Sequence, residues 1–216
     1  MSEFALFQFL PVLGLGYLLG SVPTAYWFSL LVYRIDIFQF GSKNMGATNV
    51  HRVLGKGPFA LVLVLDILKG FFAVLLGASF AHAPDQIMIL KLAAGGSAII
   101  GHTLSLWVRF RGGKGVATGL GVFLGLAPIS SIITMFIFLA VLIPSGMVSL
   151  GSIAASGSLP FLIYRFGEGG EWNLPMSAFA AVVAAVIIFK HRANIGRILS
   201  GQENTLHQAA KPGEKK

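Results

Sequence analysis

The chain has 216 residues, 55% of them hydrophobic and only 11% charged, with a net charge of +8. A soluble domain carries about 25% charged residues, so this composition excludes an ordinary soluble protein and fits a single integral membrane domain, 1–207, followed by a basic tail, 208–216, expected to be disordered. With no cysteine, disulfides, thiolate metal sites and cysteine nucleophiles are excluded.

Taken in chain order, the N-terminus has Glu3 and no basic region, so the first apolar stretch is expected to be kept rather than cleaved as a signal peptide. Residues 4–33 carry no charge and are long enough for a full span. Further spans are predicted at 57–80, interrupted by Asp66 and Lys69, at 86–107, and at about 174–189. Residues 115–164 hold no charged side chain.

Basic residues orient the spans. Arg34, Lys43, Arg52 and Lys56 follow the first span. Arg109, Arg111 and Lys114 follow the third, and Lys190, Arg192, Arg197, Lys211, Lys215 and Lys216 follow the last. The charge bias puts these three segments in the cytoplasm and the N-terminus outside. Residues 115–164 must then cross an odd number of times. Fifty helical residues reach about 75 Å, against about 30 Å of hydrocarbon, so three short crossings fit, broken near Pro128 and Pro144. The fold class expected is an all-α bundle of seven transmembrane helices with a cytoplasmic C-terminus, in preference to the alternative of two crossings in 115–164, six helices in all and a basic tail outside.

Two glycine-rich segments carry the chemistry. The first, Gly41 to Lys56, places Ser42, Asn44, Gly46, Thr48 and Asn49 beside Lys43, Arg52 and Lys56. Small residues let backbone N–H groups approach phosphate oxygens, hydroxyls donate to them, and arginine binds them in a bidentate way. Topology needs lysine and arginine but not Gly-Ala-Thr-Asn, so the segment reads as an anion cradle. The second, Gly112-Gly113-Lys114-Gly115, precedes a helix from Val116 that includes Thr118, and it gathers N–H groups, a lysine and a positive helix end. It is not a Walker A loop.

Elsewhere, Asp66 and Lys69 lie one turn apart, as a self-neutralised packing pair or as substrate ligands. His102 stands near the end of the third span. His191 and Asn194 share a helix face after the last span. HxxxxD and GxSxG are absent and no His–carboxylate cluster suggests a metal, so no metal and no cofactor is implied.

The ordered motifs GSKNMGATNVHRVLGKG, DILKG, GH with RGGKGVATGLG, and HRANIGRILSGQE resemble the bacterial acyl-phosphate:glycerol-3-phosphate acyltransferases, the PlsY family. The resemblance covers nearly the whole chain, from Gly20-Ser21-Val22-Pro23-Thr24-Ala25 to the tail. It implies a seven-helix enzyme of the bacterial inner membrane with its active site in the cytoplasm. The implied reaction moves a fatty acyl group from acyl-phosphate to the 1-hydroxyl of sn-glycerol 3-phosphate, giving lysophosphatidic acid and phosphate. Membrane lipid is an implied partner, as is the enzyme that makes acyl-phosphate; nucleic acid is not.

Residue by residue, Ser42 and Arg52 match phosphate-binding positions of the first motif, Lys114 with Gly112, Gly113 and Gly115 the second site, and His191 and Asn194 the pocket. His191, Asn194, Lys114 and Ser42 are the implied catalytic set. Asn44, Gly46, Thr48, Asn49, Arg52, Lys56, Asp66, Lys69, His102 and Thr118 join them in the expected substrate-binding set. One departure is Lys43, where many members have glycine. Because an acyl-phosphate is already activated, direct transfer without a covalent intermediate is expected, with the substrate or departing phosphate taking the proton in preference to His191 or Asp66. A lipid-phosphate transporter is the rival reading, but the polar residues cluster on one membrane face and no internal repeat is evident.

Overall fold

In the computed structural model, described over residues 3–168 and 170–206, the regular elements are all helical. The basic tail 208–216 lies outside the described residues. The helices are α1 (Glu3–Ser21), α2 (Thr24–Tyr33), α3 (Ala47–Leu54), α4 (Lys56–Ser79), α5 (Ile87–Thr103), α6 (Val116–Leu126), α7 (Pro128–Ser145), α8 (Val148–Phe166), α9 (Asn173–Lys190) and α10 (Arg192–Leu199). Among the described residues, 5 stretches are long and apolar enough to cross a membrane: Phe7–Tyr33, Lys56–Ser79, Pro84–Val108, Pro128–Ser145 and Gly170–Lys190. The shorter α6 is also apolar.

The uncharged stretch divides into α6, α7 and α8 beside its prolines. Pro128 sits at the first position of α7, where a missing N–H costs no helical bond. Gly146, at φ 68°, closes α7 with its N–H on the Leu142 carbonyl. At the far end, Glu168 takes up the free donors of α7. Its carboxylate accepts from Ile129 N at 2.7 Å and Ser130 N at 2.9 Å.

The expected first span is interrupted. α1 stops at Ser21 and α2 restarts after Val22-Pro23. Proline lacks a donor, so carbonyls at the end of α1 need other partners inside an apolar setting. Lys69 Nζ donates to Val22 O at 3.0 Å, and Ser105 Oγ donates to Ser21 O at 2.5 Å. Lys69 also pairs with Asp66 at 2.7 Å, and Thr24 Oγ1 donates to the same carboxylate. The buried Asp66–Lys69 pair therefore mends a helix break.

Glycines bring helices into close contact, as small residues do in membranes. Gly20 and Gly101 lay α1 on α5, with no room for a Cβ against Ala98 or the Tyr17 carbonyl. Gly70 and Gly121 do the same for α4 and α6, against the Thr118 and Ile67 carbonyls. α8 packs between α7 and α9. This second group meets the first around Val122, Phe123, Leu159, Ile163, Met176 and Ala180. Between the groups lies a cleft.

Candidate active site

The cleft has a volume of about 950 Å³. Its polar mouth is built from the starts of α4, α6 and α8 and the ends of α5, α7 and α9, together with α3 and α10. One wall is the 41–54 segment, and here the sequence hides a helix. Gly41 and Lys43 both take left-handed backbone, at φ 57° and 53°, and fold the turn that delivers Ser42. Asn49 stitches that turn from inside: its Oδ1 accepts from Ser42 N at 2.7 Å, and its Nδ2 donates to the Ile37 and Phe40 carbonyls, each at 3.1 Å. The Asn49 amide is thus occupied with backbone. Asn44 Oδ1 accepts from Gly46 N at 2.9 Å, so it too shapes the turn. Thr48 and Arg52, four apart on α3, share the face that lines the cleft. Lys43 adopts the left-handed conformation that glycine enters without steric cost.

The opposite wall joins the second loop to the tail through one connected network. Lys114 Nζ donates to Asn194 Oδ1 at 2.5 Å, and Asn194 Nδ2 donates to Glu203 Oε1 at 2.7 Å. Ser149 Oγ donates to the same oxygen at 2.8 Å, and Arg197 Nε donates to Oε2 at 2.8 Å. The partners fix the Asn194 amide: oxygen toward Lys114, nitrogen toward Glu203. Glu203 also ties the segment after α10 to the start of α8, and the Leu206 N–H donates to the Gly146 carbonyl at 2.8 Å.

Burial and charge tune these groups. Burial lowers the Lys114 ammonium to about 8, with Glu203 opposing and Arg197 and Arg52 reinforcing. Burial alone would raise the Glu203 carboxyl. The hydrogen bonds from Asn194, Ser149 and Arg197, with the Arg197 charge, outweigh it and hold the group below its ordinary value. Burial, followed by the Lys114 charge, lowers His191 to about 4, against its bond to Ile187 and the Glu203 charge. His191 is therefore neutral at pH 7. Its Nδ1 stands 2.8 Å from the Ile187 carbonyl, which can only accept, so Nδ1 carries the proton and Nε2 is left as an acceptor.

His102, at the end of α5, also borders the cleft, with Nδ1 3.9 Å from Asp66 Oδ1. Beyond the polar mouth the walls turn apolar, with Leu63 and Ile67 from α4, Leu120 and Phe123 from α6, Leu139 from α7, Leu159 from α8, and Ala184 and Ile187 from α9. Five cations, Arg52, Lys114, Lys190, Arg192 and Arg197, border the cleft against two carboxylates, Asp66 and Glu203. No group of three or more metal-ligating side chains occurs among the described residues.

A family profile described as Glycerol-3-phosphate acyltransferase matches residues 10–201. The chain belongs to the glycerol-3-phosphate acyltransferase family. Relatives of that name include one from Geotalea daltonii, 42% identical over 189 residues, covering 88% of this chain and 93% of the relative. Another, from Fusobacterium nucleatum, is 40% identical over 190 residues, covering 88% and 94%. The fold resembles the crystal structure of PlsY (YgiH), described as an integral membrane glycerol 3-phosphate acyltransferase, in its glycerol 3-phosphate form, with a TM-score of 0.80 and 33% identity over 91% of this chain and 94% of that one. The lysophosphatidic acid form of the same protein gives a TM-score of 0.79.

Of the residues expected from sequence to bind substrate in this acyltransferase, Ser42, Asn44, Gly46, Thr48, Asn49, Arg52, Asp66, His102, Lys114, Gly115, His191 and Asn194 border the cleft. Lys56, Lys69, Gly112, Gly113 and Thr118 stand outside its walls, and each has a visible reason. Lys56 opens α4 and faces out; Lys69 is spent on Val22 and Asp66. Gly112 and Gly113 lie against the end of α5, where a Cβ would strike the His102 carbonyl or ring, and Gly113 N donates to that carbonyl at 3.0 Å. The Thr118 carbonyl faces Gly70 at the α4–α6 contact. Glu203, Arg197 and Ser149 were not singled out from sequence. The available signal was a lone acid beside so many cations in the last motif.

Proposed function

We propose that this chain transfers a fatty acyl group from acyl-phosphate to the 1-hydroxyl of sn-glycerol 3-phosphate, releasing 1-acyl-sn-glycerol 3-phosphate and phosphate. The observation that carries the proposal is the cleft itself. A cationic, hydrogen-bonding mouth runs straight into an apolar slot, the complement of a phosphate head on an acyl tail. The excess of cations suits two substrate phosphates held together. Related structures described as glycerol 3-phosphate and lysophosphatidic acid forms support the same acceptor and product.

In this reading Ser42, Arg52 and Lys114 hold phosphate, and Asn194 and Glu203 keep Lys114 aimed. His191, through its Nε2 acceptor, orients the attacking hydroxyl. The hydroxyl oxygen bonds to the acyl carbon, the bond from that carbon to the phosphate oxygen breaks, and the departing phosphate takes the hydroxyl proton. Phosphate is a competent leaving group, so positioning and stabilisation of the developing oxyanion by N–H donors supply the catalysis. Catalysis in this scheme needs no metal, no cofactor and no covalent acyl-enzyme.

We further place the chain in a bacterial inner membrane, with seven crossings, an outer N-terminus and the cleft facing the cytoplasm. The cleft gathers the ends of α5, α7 and α9 with the starts of α4, α6 and α8, and α2 leads into the 41–54 wall, which supports alternating crossings. Nearness to the enzyme that makes acyl-phosphate would serve such a site. The deciding experiment gives purified protein glycerol 3-phosphate with acyl-phosphate, acyl-CoA or acylated carrier protein in turn. Acyl-phosphate alone should yield lysophosphatidic acid. Turnover with a thioester and none with acyl-phosphate would reject the donor.

A further inference from the structure

The apolar slot has a blind end, and the same kind of stop appears on four helices. On α9 the wall reaches Ala180, and one turn deeper Met176 is fully buried. On α8 it reaches Leu159, and one turn deeper Ile163 is fully buried. On α6 it reaches Phe123, with buried Leu126 beyond; on α7 it reaches Ser131, with buried Ala127 beyond. Ile163, Met176, Leu126 and Ala127 pack with Phe123 and Ala180 as one core, so the slot is plugged by close-packed side chains. Ala180 lies eleven residues before His191, about 16 Å along α9. Leu159 lies ten residues beyond Ser149, about 15 Å along α8. Both helices therefore give the slot the same depth below the polar mouth.

We propose that this plug gauges acyl-chain length, with Ala180 setting the floor and Met176 and Ile163 backing it. The inference rests on the acyl-transfer reading above and deepens it. The head group is pinned at the mouth, so each methylene the floor refuses must bend back or leave the slot. A hydrophobic pocket discriminates by about tenfold or more for each misfitting methylene. Ala180 is as fully buried as Met176 but borders the slot, so a larger side chain there would shorten the slot, and a smaller one in place of Met176 would deepen it.

The test is a competition in one vessel, in which protein turns over glycerol 3-phosphate with decanoyl phosphate and octadecanoyl phosphate together. The ratio of the two lysophosphatidic acids does not depend on how much protein is active, so partial misfolding does not blur it. Ala180→Leu should lower the long-to-short ratio by about tenfold or more relative to wild type, and Met176→Ala should raise it. Ala180→Val and Ile163→Ala should move it in the same two directions and stand in for either variant that fails to fold. One ratio shared by wild type and variants overturns the gauge. No product from either donor with wild-type protein overturns the acyl-transfer reading instead.

Discussion

Lys114 sits where one charge does the most. Its ammonium has lost water to burial and faces the cleft beside Arg52 and Arg197, so the neighbours that favour its charged form are Glu203 and, in the proposed reaction, an incoming phosphate. Replacing Lys114 with alanine should cut kcat/KM for glycerol 3-phosphate by a factor matching the about 1.5–3 kcal/mol of a charge-assisted contact, or more in this buried setting, while the protein still purifies folded. Near-wild-type turnover below saturation would reduce the loop to a connector. The same lysine sets a pH dependence. With a free-protein pKa of about 8, the cation is lost as pH rises through that value, so KM for glycerol 3-phosphate should climb above it. His191, held to about 4, should give no inflection in its ordinary range near neutrality. KM measured across pH checks both, and a drop in activity below about pH 6.5 that His191→Gln removes would contradict the neutral imidazole. Lys114, His191 and Asn194 were legible in the sequence because a basic, glycine-rich turn and a polar helix face are out of place in an apolar chain. Glu203 was not, because its three partners come from α8 and α10 and no local spacing announces them.

At the scale of elements, the helix contacts rest on glycine. Gly121 meets the Ile67 carbonyl without room for a Cβ, whereas Gly14 on α1 has nothing within 4 Å of where a Cβ would stand. Gly121→Val should therefore force α6 from α4 and cost about 1–3 kcal/mol, read as a lower Tm in detergent. Gly14→Ala should leave Tm unchanged or raise it slightly, through better helix propensity. Equal Tm changes in the two variants would show that close approach is not what holds the α4–α6 contact. The sequence disclosed the three-helix division of 115–164 through Pro128 and Pro144, since prolines and glycines punctuate helices locally. It concealed α3, whose eight residues look like a glycine-flanked basic loop and become helical against α4. It also concealed the break at Val22-Pro23, because hydropathy runs through it and only tertiary partners, Lys69 and Ser105, repair it.

For the whole molecule, the alternation of helix ends around the cleft ties topology to function, since a site fed by water-soluble glycerol 3-phosphate must sit on one membrane face. The chain's lack of cysteine makes labelling clean. A cysteine placed at exposed Ser200 should react with a membrane-impermeant reagent only after cells are opened, and labelling in sealed cells would refute seven crossings. The central claim is that both substrates occupy one cleft and the acyl group passes directly between them. Initial rates over a grid of acyl-phosphate and glycerol 3-phosphate concentrations test it. The account requires intersecting reciprocal lines, with both substrates bound before either product leaves. Parallel lines, with an acyl-protein that glycerol 3-phosphate discharges at a competent rate, would contradict it.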